Sequence, residues 1–97
     1  MNKIEEILSR TRTNRPGGIL FLIPSDAIDL IKACQEENRK ILGIDAFILS
    51  DRGTQPVMEH SIDYSDTYRK NSRNWDEAIN FIEQRKNKGY HFEVVFQ

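Results

Sequence analysis

Residues 41–49 read Ile41-Leu42-Gly43-Ile44-Asp45-Ala46-Phe47-Ile48-Leu49. Successive residues of a strand point to opposite faces, which puts Leu42, Ile44, Ala46 and Ile48 on one face and Ile41, Asp45, Phe47 and Leu49 on the other. Both faces are mainly apolar. A strand greasy on both sides belongs inside a sheet or beneath covering elements, and Asp45 then stands as a charge in a covered place. A sheet built on this segment is the starting expectation, and the flanking segments supply its neighbours.

After residue 49, Ser50-Asp51-Arg52-Gly53-Thr54-Gln55-Pro56 carries turn chemistry and predicts a hairpin-like connection with an antiparallel return. In that return, Val57, Glu59, Ser61 and Asp63 alternate with Met58, His60, Ile62 and Tyr64, so one face is polar and meets solvent. Residues 65–73 have no apolar period and read as a loop. Asn74 and Glu77 have capping-box spacing, and Trp75, Ala78, Ile79 and Ile82, flanked by Phe81, form the stripe of a helix running to about Asn87. Lys86, Lys88 and Gly89 suit its end, and Tyr90 to Gln97 is a last strand with Phe92, Val94 and Phe96 on one face.

Before residue 41, Ala27, Ile28, Ile31 and Cys34 form the stripe of a helix from about 26 to 38, with Ser25 as its cap and Asp26 at the positive end of its dipole. The apolar run Ile19-Leu20-Phe21-Leu22-Ile23, bounded by glycines and by Pro24, has the length of a buried strand. Asn14-Arg15-Pro16-Gly17-Gly18 is a loop, and Ile4, Ile7 and Leu8 mark a short amphipathic helix over 3–11. The class is α+β, with one mainly antiparallel sheet of three to four strands and helices packed on a face. From residue 19 onward the order βαββαβ also matches a ferredoxin-like sandwich preceded by a short N-terminal helix, although order alone does not fix strand neighbours.

With 97 residues and no Pro/Gly/Ser-rich divider, the chain is expected to form a single domain, 1–97. A chain this short buries about 60 to 65% of its unfolded surface, which favours recognition at the surface over a deep substrate cavity. The 14 Lys+Arg against 15 Asp+Glu leave no global field for nucleic acid or an anionic membrane. The acidic residues in Met1 to Ile7 are unlike a secretory signal, the longest apolar run is too short to span a bilayer, and the lone Cys34 forms no intrachain disulfide. A cytoplasmic location is the expectation.

Catalytic, metal and cofactor chemistry finds no pattern. His60 and His91 fall on different expected strands, without the additional ligands a metal needs. Cys34 lies on an apolar stripe, where a thiol is a small core group. Gly17-Gly18 precedes a strand, whereas phosphate-cradling glycines follow one, and Asp26 would repel a phosphate at the helix that Ser25 opens. There is no Gly-x-Ser-x-Gly elbow. The expectation is a non-enzymatic protein with no cofactor.

Two constellations suit binding. Arg10, Arg12 and Arg15, together with Arg69, Lys70 and Arg73 beside Tyr68, make basic loops that could hold single-stranded nucleic acid, the alternative reading; no nucleic-acid-binding signature accompanies them. The stronger one is acidic and aromatic: Glu59, Asp63, Tyr64, Asp66 and Tyr68, then Trp75, Asp76 and Glu77. Aromatic anchors among carboxylates suit a binder that covers a basic cleft on a partner protein. Trp75 also fits a core position at the head of its stripe, and Asp76 and Glu77 fit the first turn of a helix.

Leu42-Gly43-Ile44-Asp45 opening a strand after a helix, Trp75 opening a later helix with Ala78 and Phe81-Ile82 behind it, and the ending Tyr90-His91-Phe92-Glu93-Val94-Val95 resemble the bacterial immunity protein 40 family. The resemblance spans roughly residues 24–96. It implies a small α+β antidote, encoded beside a polymorphic toxin that it binds and neutralises in the cytoplasm. It singles out Asp45, Trp75 and Glu93 as family-typical positions, for folding or for toxin contact. The basic loop at Arg69 to Arg73 has no counterpart in that pattern.

Overall fold

A computed structural model of the chain describes residues 2–10, 20–64 and 73–97. Helix α1 (Lys3–Arg10) is capped by Asn2, whose Oδ1 accepts from the backbone of Glu5 at 2.8 Å, and it buries Ile4 and Ile7. Helix α2 (Pro24–Glu36) buries Ala27, Ile28, Leu30, Ile31, Ala33 and Cys34. Strands β1 (Ile41–Ser50), β2 (Gly53–Asp63) and β3 (His91–Phe96) form one antiparallel sheet in the order β2-β1-β3, and helix α3 (Trp75–Glu83) lies between β2 and β3 in the chain. Helix α2 packs on β3 and on α3, and α1 packs on α2, so the helices share one side of the sheet. The α+β class and the antiparallel sheet agree with the sequence reading.

The four-stranded βαββαβ alternative is corrected. Of the expected strand at 19–23, residues 20–23 are described, and among these only Leu22 pairs, by two hydrogen bonds of 2.7 Å with Phe92, so the run forms no ladder. Pro24, which has no N–H and a helical φ, starts α2 immediately afterward. The helix therefore begins two residues before the expected point, with Ile23 and not Ser25 at the cap position. It ends in a Schellman motif: Asn38 takes φ 58°, its N–H reaches Gln35 O at 3.1 Å, and Arg39 N–H reaches Cys34 O at 2.8 Å.

Two irregularities alter the faces of the sheet. The β1–β3 register shifts between Ile41 and Gly43, so Ile41 joins Ile44 and Ala46 in the core and Leu42 is left half-buried, which reverses the expected placement of Ile41 and Leu42. On β2 the register jumps from Val57, opposite Ala46, to Ile62, opposite Ile44. The extra residues arch out, and both Val57 and Ile62 pack against the core, so the expected polar alternation does not hold. Ser61 closes the arch: its Oγ accepts from Ala46 N at 3.2 Å and donates to Val57 O at 3.1 Å. The hairpin connection is also tighter than expected, with Asp51-Arg52 as the turn and Pro56 inside an edge strand, where no ladder donor is required of it.

The expected capping box at Asn74 is not formed. Asn74 is buried with φ 65° and makes no side-chain cap; its Nδ2 donates instead to Ile41 O at 3.1 Å, fastening the start of α3 to β1. Helix α3 stops at Glu83, four residues before the expected end, and the chain reaches β3 through turns closed by Gly89 at φ 77°.

Candidate functional site

Trp75 and Tyr64, the expected aromatic anchors, belong to the packing. Trp75 is half-buried against the core, and its indole Nε1 donates to Arg39 O at 2.7 Å, joining α3 to the end of α2. Tyr64 is 3% exposed, and its hydroxyl has no hydrogen-bond partner among the described residues. Burial pushes its phenol up to about 12, with Glu77 adding to the rise and Arg85 opposing it. Tyr64 is thereby corrected from contact residue to core residue. Glu59, Asp63 and Asp76 are exposed, whereas Asp66 and Tyr68 lie outside the described residues.

The groups weighed for chemistry have structural surroundings. Cys34 is fully buried, and that burial pushes its thiol up to about 11. His60 Nδ1 accepts from Arg85 Nε at 3.0 Å, and its ring lies 5.2 Å from that of Tyr90. Among the described residues no group of three or more His, Cys, Asp and Glu could hold a metal ion, and no helix is long and apolar enough to cross a membrane. In the basic clusters, Arg10 stands on α1 facing Asp26 and Asp29 at 3.6 and 3.9 Å, Arg73 is exposed, and Arg12, Arg15, Arg69 and Lys70 fall outside the described residues.

What the fold does bring together is Asp45 and Glu93. They sit directly opposite each other on β1 and β3, with their carboxyl groups close enough to share a proton. Burial raises the Glu93 carboxyl above its ordinary value, and the adjacent Asp45 carboxylate raises it further. Glu93 therefore keeps its proton to higher pH than an ordinary carboxyl, and in that form it can donate to Asp45. The pair lies on the sheet face opposite Phe92 and Val94, which point into the helical core. At one end of this face Phe21 is buried edge-on against Phe47, ring centroids 4.8 Å apart, but no described helix covers the remainder.

A shallow hollow of about 450 Å³ opens beside the pair, lined by Leu42, Gly43, Asp45, Met58, Asp63 and Val95 among others. The sheet register accounts for it. Gly43 is opposed by Asp63 on one side and Val95 on the other, so the middle of that row has no side chain. A Cβ there would come within 3.1 Å of Ile62 O. Asp45 stands in the next row on the same face, and Met58 overhangs from the β2 arch with 76% of its surface exposed. Reading the sequence for aromatics missed Gly43, Leu42, Met58 and Val95; the available signal was the glycine itself, since an isolated glycine in a strand marks a bulge or a close backbone approach.

The fold and this face define an α+β domain with one side of its sheet packed under helices and, among the described residues, no helix on the other side, which carries an acidic, apolar-walled hollow. No protein-family model matches the chain, and no curated protein matches it at significance.

Proposed function

We propose that the chain is a protein-binding antidote of the immunity type, which occludes a toxin by seating the bare sheet face against it without covalent chemistry. The observation that carries this reading is the hollow: Met58 at 76% and Val95 at 40% exposure stand beside Asp45 and Asp63 on the sheet. Exposed apolar surface rimmed by charge is characteristic of interaction sites, where desolvated apolar contacts supply affinity and carboxylates steer a basic partner into register. In this reading the contact region includes the exposed Glu59 and Asp63 of β2 and omits Trp75 and Tyr64, which pack against the core.

The test is co-expression with the toxin encoded beside this chain's own gene. The expected result is rescue of growth together with a one-to-one complex on size exclusion. Absence of both overturns the reading.

A further inference from the structure

The side-chain chemistry of the hollow narrows what it can receive. Its walls are apolar at Leu42, Met58 and Val95, its polar groups are Asp45, Asp63 and Ser61, and Glu93 stands behind Asp45 across the strands. A metal ion would need several converging oxygens and would gain nothing from the apolar walls. An anion would be repelled. A whole small-molecule ligand would be poorly enclosed, because about 450 Å³ in an open depression is near the lower end of the roughly 300–1,000 Å³ of ligand pockets. A long basic side chain matches both halves, with an aliphatic stem for the walls and a cationic head for the carboxyl pair.

We infer that the hollow is the seat for one arginine or lysine side chain of a protein partner, its stem lying along Met58, Leu42 and Val95 and its head on Asp45 and Glu93. The inference rests on the reading of this face as the contact surface. Its chemical consequence is a coupling to protons. At pH below the raised value of Glu93 the unoccupied pair carries one negative charge, because Glu93 then keeps its proton beside Asp45. A cation placed at the pair favours the doubly ionised form, and the Glu93 proton then passes to solvent while the two carboxylates share the cation. The charged or titratable groups around Glu93 are Asp45 on β1, His91 two residues back on its own strand, and Asp63 on β2 one row away. Binding of the basic head therefore tightens as pH rises through the raised value of Glu93.

The probe is N-acetyl-arginine methylamide, titrated into the wild-type chain and followed through backbone amide shifts, with the neutral N-acetyl-citrulline methylamide as control. The expected result is a saturating shift confined to residues 42–45, 58–63 and 93–95, absent with citrulline. Asp45→Asn should weaken it about fivefold, the scale of one partly exposed charge contact. Glu93→Gln, which keeps a hydrogen-bond donor toward Asp45 and cannot ionise, should abolish the strengthening with pH while leaving the shifted residues the same. Equal shifts with citrulline, shifts elsewhere on the surface, no saturation, or unaltered binding by Asp45→Asn would each overturn the inference. The titration uses no toxin, so its failure is separable from a failure of co-expression rescue.

Discussion

Glu93 and Asp45 are two acidic residues 48 positions apart in sequence that the sheet sets side by side. The unfolded chain titrates Glu93 near its ordinary 4.5, whereas the folded chain holds that proton to higher pH. The stabilisation from the protonated pair is therefore complete below the ordinary value and lost as pH rises through the folded one. Glu93→Gln should be more stable than wild type at neutral pH by roughly 0.5 kcal/mol, the scale of one directly opposed like-charge pair, and the difference should vanish in acid; urea denaturation at the two pH values measures it. Gly43→Ala should cost about 1 kcal/mol by the same measurement, since the added methyl must push against the Ile62 carbonyl at 3.1 Å, a backbone atom. The Cys34 thiol, buried and raised to about 11, should react with a disulfide reagent only as fast as the fold opens, and a labelling rate insensitive to added denaturant would contradict this. Residues whose role follows from their own helix were legible in the sequence: Cys34 and Ala78 lie on the stripes that predict their burial. The Asp45–Glu93 pair was not, because it depends on a non-local strand register, and Tyr64 reads as a contact residue from its acidic neighbours in sequence, whereas its place beside Ile62 in the alternation decides its role.

Elements differ in how they are tied to one another. Helices α2 and α3 were recognisable from apolar stripes, but the start of α3 is fixed by contacts no local pattern displays. Asn74 spends its side chain on the Ile41 carbonyl and so leaves the capping box unmade, and Trp75 donates to the Arg39 carbonyl at the end of the preceding helix. At the α3 end, the Arg85 guanidinium lies 3.8 Å over the Phe81 ring and reaches His60 on the β2 arch, linking helix to strand. The arch itself depends on one hydroxyl. Ser61→Ala leaves the N–H of the buried Ala46 and the C=O of the half-buried Val57 without their shared partner, and a loss of about 1–2 kcal/mol is expected in chemical denaturation. The same variant should broaden the amide signals of residues 57–62 while leaving α2 unchanged.

At the scale of the whole molecule, the two faces of the sheet have separate tasks. One carries the core, in which Phe92, Ile41, Ile44 and Ile82 are fully buried, and the other carries the hollow. Substitutions on the second face should therefore separate binding from folding. Met58→Lys, at a side chain 76% exposed, should alter stability by less than about 0.5 kcal/mol yet weaken the toxin complex at least about tenfold, because it places a cation where the reading above requires one from the partner. Calorimetry on the free chain and on the complex checks the two halves independently. Composition and charge balance indicated surface recognition, but locating the surface required knowing which face the helices leave bare.

The edge strand β2 carries one more consequence. An uncovered sheet rim is a template on which further copies of a chain can zip up into fibrils. Here Pro56 removes one of the donors such growth would use, and the arch at residues 58–61 bends the rim out of line just beyond it. A long strand can thus stand at the rim of a small sheet, with Met58 displayed beside it, while the backbone offers no straight run for self-templated assembly.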